Sequence, residues 1–392
     1  MSKNKIAFVC PRYPESGTVG GAETLMKNLA ERAAESGMDV TFLATCAKSH
    51  FTWKNELPAG LRRIGKVDVR LFSVDSERDV SSFLSIQSRL GRGVDLSIEE
   101  ERLWVTNSVN STALCNYIRE HGAEFDRIIL GPYLFGLIFF ASQILPEKSL
   151  LVPCLHDEPF AYLKIMHEMF GKVRGFLFNS EPEKDLARRI YGLPEARCAV
   201  VGMGLDSVDA DPAAFAARHG IKQPYVMYAG RREGGKGTPL LTDYVNAFRN
   251  RTGIDVKLVF TGSGPIEAPP EMAPHILDFG FVSEQEKHEA MAGALAFIHP
   301  SVFESFGIVL LESFLAGAPA LVHSGGEVLK WQCQRSNAGF WFGLYPEFEE
   351  ELLMLVRNKE LRRAMGENGR KYVLSQYSWA AVEKRFEQAL LM

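Results

Sequence analysis

Two doubly wound α/β domains, each built on a parallel sheet buried on both faces, are predicted by three features of this 392-residue chain. Short continuous apolar runs alternate with helix-type segments from one end to the other. The runs fall into two series, separated by a stretch rich in Gly and Asp. Several runs end in Gly-rich turns, at the strand ends where open α/β sheets bind ligands.

The first series of strands is expected at 6–9, 39–44, 67–72, 127–130, 150–155 and 175–179. The second is expected at 199–201, 225–228, 257–260, 276–279, 295–299 and 320–323. Gly202, Gly204, Asp206, Asp209, Asp211 and Pro212 mark the boundary, giving domains at 1–205 and 206–377. The closing segment 378–392 reads as a helix, with Trp379, Val382, Phe386 and Leu390 at helical spacing. The most apolar stretch, 134–145, is interrupted by Gly136, Ser142 and Gln143. It is shorter than the roughly 20 residues that span a bilayer, so it reads as a core helix.

Bulk composition removes several classes of function. Lys and Arg number 44 against 48 Asp and Glu, a net charge of −4, which argues against a general polyanion binder and so against a nucleic-acid partner. The apolar run at 6–10 is too short for a signal peptide. Cys10, Cys46, Cys115, Cys154, Cys198 and Cys333 are scattered without a CxxC pair and read as reduced, mostly buried thiols of a cytosolic protein. Cys and His show no metal-ligand spacing, so no metal is expected.

The first βα turn, 10–22, ends in Gly20-Gly21-Ala22-Glu23 before a helix with Leu25, Leu29 and Ala33 on one face. Glycines there let the backbone approach a ligand, and the helix start offers N–H groups to an anion. A plain tight turn would look the same. The turn is not GxGxxG, so the dinucleotide fingerprint of a dehydrogenase is absent. His156 follows the strand at 150–155, with Asp157 beside it to orient it or to bind acceptor hydroxyls. A lone histidine after a strand is ordinarily a structural hydrogen-bonder. Asn179-Ser180-Glu181, after the next strand, reads as structural or as lining a site.

In the second domain a strand runs into Arg231-Arg232-Glu233-Gly234-Gly235-Lys236-Gly237. Arg231 and Lys236, five apart on a Gly-rich loop, could hold a diphosphate, the arginine donating bidentately. Arg232 reads as the solvent-facing neighbour. The plain alternative is a basic surface loop. A Walker-type phosphate loop is absent. Thr261-Gly262-Ser263-Gly264-Pro265 is a further Gly-rich turn after a strand.

The segment 297–319 is the most informative. It reads as a buried strand ended by Pro300, a polar loop, a helix over 306–316 capped by Ser305 or preceded by an earlier turn capped by Ser301, and a stop at Gly317 and Pro319. Glu304 and Glu312 bracket the join, with seven residues between them. Glu304 sits on the loop beside the helix start. Glu312 lies on an otherwise apolar helix, where an unpartnered carboxylate costs several kcal/mol, so it needs a partner such as a sugar diol.

The Glu-x7-Glu pair resembles the signature of retaining glycosyltransferases of family 4, which have the GT-B fold. The resemblance covers almost the whole chain. It is strong from 225 to 319, looser between 51 and 130, and it departs at Ser324-Gly325-Gly326-Glu327, so Glu327 is given no role. It implies two Rossmann-like domains facing a central cleft, the first on the acceptor side and the second holding the donor. The tail helix would cross back to the first domain. Arg231 and Lys236 would hold the leaving diphosphate, helped by the helix start at Ser305, Phe306, Gly307 and Ile308, in place of a metal or cofactor. Glu304 and His156 would lie near the transferred sugar, and Glu312 would bind the ribose. Gly20 and Gly21 would face the phosphates and sugar. Gly262 and Gly264 would approach the nucleotide, and the stretch around Phe281 would touch the base, mostly through backbone.

The implied reaction moves a sugar from a UDP- or GDP-type donor to the hydroxyl of a glycan or lipid-linked acceptor, in cell-surface polysaccharide or glycolipid synthesis. The implied place is the cytoplasm, with peripheral contact at the inner face of the membrane left open, and the domains would close on the donor. Two other readings remain: a nucleotide-sugar epimerase on the same fold, distinguished by donor isomerisation without an acceptor, and a non-catalytic nucleotide-sugar binding protein, excluded by turnover.

Overall fold

The computed structural model describes residues 4–14, 20–232 and 234–392. Residues 15–19 of the first βα turn, Glu233 of the basic loop and the first three residues lie outside that description. The chain divides into two compact units, Met1–Met203 with Val382–Met392, and Gly204–Ala381.

The described strands of the first unit are β1 (Lys5–Val9), β2 (Asp39–Thr45), β3 (Gly60–Ile64), β4 (Val67–Phe72), β5 (Arg127–Leu130), β6 (Ser149–Leu151), β7 (Gly175–Phe178) and β8 (Cys198–Val200). They lie in the order β3-β4-β2-β1-β5-β6-β7-β8, and every pairing is parallel except β3 with β4. Central strands such as β1 are buried on both faces, which is why they read as unbroken apolar runs. β3 was not expected: Gly-Leu-Arg-Arg-Ile is a largely exposed edge strand, and its charged residues break the apolar pattern while protecting the edge. β8 corrects the assignment of 199–201 to the second series, because it pairs with β7, Phe176 opposite Cys198. The strand expected at 150–155 leaves the sheet after Leu151, and Cys154 has a positive φ of 54°. The helix Gly136–Ser142 has Leu137, Ile138 and Phe139 in the core.

The closing helix, Trp379–Ala389, brings Phe386 to 6.2 Å from the ring of Phe8, and the Arg385 guanidinium donates to the carbonyl of Val201. Trp379 belongs to the second unit. There its indole lies so close to Gly204 that a Cβ at that position would come within 2.3 Å of it.

The second unit holds β9 (Tyr225–Ala229), β10 (Lys257–Thr261), β11 (Ile276–Asp278), β12 (Phe297–His299), β13 (Ala320–His323) and β14 (Gly339–Phe342). They lie parallel, in the order β11-β10-β9-β12-β13-β14. Only β14 is absent from the sequence reading; its four residues at the sheet edge carry too short a pattern to register. Val226, Tyr228, Leu258, Phe260, Ile298 and Leu321 form the core beneath the helices. In each sheet the strand order reverses once beside a Gly-rich turn, between β1 and β5 and between β9 and β12. Chains leave such a point in opposite directions and open a crevice at the carboxyl ends of the strands. Among the described residues no helix is long and apolar enough to cross a membrane.

Candidate active site

At the reversal in the second unit, the loops after β9 and β12 rise side by side. Gly237, with φ +69°, lies against Pro300, and a Cβ there would come within 2.9 Å of the Pro300 carbonyl. This contact places Lys236 opposite Glu304. Their Nζ and Oε1 are 2.6 Å apart, with the side chains 26% and 19% exposed. The loop after β10 joins them through Gly262, whose φ is +108°; a Cβ would sit 2.2 Å from the Gly230 carbonyl, so glycine is required. The sequence-predicted Arg231, Lys236, Gly262, Gly264 and Glu304 are therefore brought to the carboxyl end of one sheet.

The solvent-facing place expected of Arg232 is not where the structure puts it. Arg231 is the exposed one. Arg232 is 6% exposed and turned inward, where its Nε donates to the Gly264 carbonyl at 2.8 Å and its two terminal nitrogens donate to Asp278 at 3.2 and 3.1 Å. A planar guanidinium can satisfy a carbonyl and a carboxylate at once, so it clamps the loops after β9, β10 and β11 together. Phe281, just beyond, is 67% exposed.

His299, the last residue of β12, did not stand out in the sequence. It is buried, its Nε2 is 3.6 Å from Glu304 Oε1, and Nδ1 has no hydrogen-bond partner among the described residues. Burial lowers its pKa to about 4, against the pull of Glu304 and with the help of Lys236. Its position directly before Pro300 was the available signal.

The helix after the loop starts later than expected. It spans Ile308–Leu315, with Gly307 at its N-cap in the left-handed region at φ 81°. Ser305 and Phe306 are loop residues, and neither Ser305 nor Ser301 caps it. Phe306 is buried edge-on against Tyr377, with centroids 5.1 Å apart, while Ser305 and Ile308 are half-buried. Glu312 has a partner, as its apolar surroundings demanded: the Lys287 ammonium, 2.9 Å from Oε2. Lys287 stands on the helix Glu284–Gly293 and also meets Glu284 at 2.7 Å. Desolvation raises the pKa of Glu312, and Lys287 opposes it. Glu284, His288 and Glu312 could bring ligand atoms within 4.8 Å of one another, but the Lys287 ammonium already pairs with both carboxylates.

Gly20, Gly21 and His156 belong to the first unit. Gly20 is the N-cap of the helix Gly21–Glu35, and a Cβ there would come within 2.6 Å of a Glu23 carboxylate oxygen. Glu23 is buried in an ion pair with Arg12, which also donates to the Lys48 carbonyl at 2.8 Å. Asp157 does not orient His156, because it is held by Arg189 at 2.9 Å and Tyr162 at 2.7 Å. The carboxylate near His156 Nδ1 is that of Glu158, at 3.6 Å. The Asn-Ser-Glu element is structural. Ser180 caps the helix Glu181–Tyr191, and the buried Glu183 carboxylate accepts the Leu155 and Asn179 amides at 2.7 and 2.6 Å. Burial pushes the Glu183 pKa up to about 7 despite those amides. In the compressed turn the helix Glu327–Ser336 starts directly, with Gly326 as its N-cap.

Two parallel-sheet Rossmann-like units define the GT-B class of protein. Sucrose-phosphate synthase of Thermosynechococcus elongatus superposes over 98% of both chains with a TM-score of 0.74 at 14% identity. HepE of Anabaena, in complex with UDP and glucose, does so over 99% of both with a TM-score of 0.69 at 16% identity. At such identities the likeness concerns the fold. Residues 212–372 match the model of the family Glycosyl transferases group 1. The chain is 25% identical over 225 residues to an uncharacterized glycosyltransferase of Methanocaldococcus jannaschii, covering 52% of this chain and 56% of the relative. It is 26% identical over 226 residues to the alpha-D-kanosaminyltransferase of Streptomyces kanamyceticus, covering 54% and 58%. The chain thus matches little more than half the length of these curated relatives.

Proposed function

We propose that this protein transfers a sugar from a nucleoside diphosphate sugar to an acceptor hydroxyl, with retention at the anomeric carbon and without a catalytic metal. The acceptor in this reading is a glycan or a lipid-linked sugar of a cell-surface polysaccharide or glycolipid. The observation that carries it is the Lys236–Glu304 pair at the reversal between β9 and β12, with exposed Arg231 on the same loop. The names of the relatives, and the UDP and glucose of the HepE complex, support a nucleotide-sugar donor.

The bond between the anomeric carbon and the diphosphate breaks with its electron pair leaving on the diphosphate. Arg231 and Lys236 stabilise that charge as it develops. Lys236 then serves two anions, the diphosphate and Glu304. Glu304 faces the positive charge that grows on the sugar. Glu312 accepts the ribose hydroxyls, and Phe281 and its neighbours cover the base.

The test is a thermal-unfolding panel with UDP, GDP, ADP and their common sugars, with and without magnesium. A ligand at 100 times its Kd adds about 2.7 kcal/mol of stability. The expected result is a rise in midpoint from one nucleotide family, independent of magnesium, followed by transfer to an added acceptor. No rise from any nucleotide would overturn the proposal. Isomerisation of the donor without an acceptor would replace it with an epimerase.

A further inference from the structure

Resting on that reading of Glu312 as the ribose ligand, we infer that Lys287 is a positioning residue for nucleotide recognition, holding Glu312 ionised and aimed while leaving it free to accept the ribose hydroxyls. Three observations carry this. The Glu312 side chain is 12% exposed and the Lys287 side chain 14%, so the pair is largely withdrawn from water. The ammonium lies 2.9 Å from Oε2 of Glu312, an oxygen buried from solvent, so the ion pair engages that oxygen and leaves Oε1 to accept from a ligand. Lys287 is itself tied to Glu284 at 2.7 Å, from the first turn of its own helix, which fixes the ammonium from the far side.

The chemistry follows from what a carboxylate can do. Ionised, it offers about four acceptor sites and no donor; protonated, it loses acceptors and becomes a donor. A vicinal diol presents two O–H donors and fits the ionised form. A carboxyl alone on the apolar face of Ile308–Leu315 would resist ionisation because of its desolvation. Lys287 offsets that penalty from the Oε2 side and leaves Oε1, which keeps two acceptor sites, to the diol. His288 is the neighbouring titratable group, and its buried Nε2 lacks a hydrogen-bond partner among the described residues; burial and Lys287 keep it neutral, so it does not replace the ammonium.

The experiment compares two ligands on three proteins. Calorimetric titration first finds which of UDP, GDP and ADP binds the wild-type protein most tightly. It then measures that diphosphate and its 2′,3′-dideoxy form on wild type, Lys287→Met and Lys287→Arg. Wild type is expected to prefer the ribose form by about tenfold to a hundredfold, the range of hydrogen bonds to a charged group. In Lys287→Met the two ligands should bind alike, and Lys287→Arg should restore the preference. A general structural loss would weaken both ligands equally and leave the ratio unchanged, and an unchanged ratio overturns the inference. Failure of wild type to bind any of the three diphosphates removes the proposed function itself, and the inference with it. If Lys287→Met does not fold, Lys287→Met/Glu312→Gln is compared with Glu312→Gln. With Glu312 neutral, Lys287 should add nothing to the preference, and a further fall in it would overturn the inference.

Discussion

The two sheets reverse their strand order beside the same kind of Gly-rich turn, yet they use charge in opposite ways. In the first unit the charges at the turn are consumed internally. Arg12 and Glu23 neutralise each other in the core, and two strands beyond β5, after β7, Glu183 is likewise enclosed by two backbone amides. In the second unit Arg231 is exposed, and Lys236 and Glu304 meet at a partly exposed rim. The same topology therefore gives a structural turn in one place and a chemically usable one in the other. Removing a charge should cost stability in the first unit and activity in the second.

The largest expected effect lies at that rim. Lys236→Ala and Arg231→Ala should each lower kcat by about 100-fold or more, the loss seen when one preorganised donor to a developing negative charge is removed. Arg231→Ala should leave stability within about 0.5 kcal/mol of wild type, as exposed substitutions usually do. Transfer assays beside denaturant titrations check both, and wild-type rates in both variants would end the argument.

Next comes Glu183→Ala. It leaves the amides of Leu155 and Asn179 buried without an acceptor, at about 1–3 kcal/mol each. Urea unfolding should show that loss, while the affinity of the second unit for nucleotide stays near that of wild type. A large loss of nucleotide affinity would break the contrast between the units.

His299 gives a comparable effect that depends on pH. Its pKa falls from about 6.5 in the unfolded chain to about 4 in the folded one. The unfolded state therefore binds the proton first as pH drops. The stability linked to His299 is complete above about pH 6.5 and is lost progressively as pH falls to about 4, by about 3 kcal/mol in all. Stability measured across that window should decline in wild type, and the decline should be smaller in His299→Phe. Equal slopes would show that His299 does not set it.

The smallest effect is the most discriminating. Arg232→Ala, one residue from Arg231, should destabilise by about 2 kcal/mol, because it removes charge-assisted bonds to Asp278 and Gly264. The neighbouring arginines would then report opposite quantities, rate for one and stability for the other.

Much of this architecture is legible without coordinates. Strands buried on both faces must be apolar throughout, and turns that bring backbones together must be glycine, so both sheets and the turns at Gly237 and Gly262 can be read locally. The spacing of Glu304 and Glu312 is equally local, and so is the need of Glu312 for a partner. Edge strands were lost because β3 is polar and β14 is short. The start of the helix at Ile308 was lost because Gly307, in a left-handed conformation, takes the place that a serine cap usually fills.

Identities of partners belonged to the tertiary structure alone. Arg231 and Arg232 are the same residue type on one loop, and what buries the second is Asp278, 46 residues away. The same holds for Lys287 beside Glu312, for Glu158 rather than Asp157 beside His156, and for Glu183 beneath Leu155. Sequence determines which groups must be satisfied, since burial and desolvation act on each residue where it stands. Which group satisfies them is a matter of distance across the folded chain, and only the packing of the loops on the two sheets decides that.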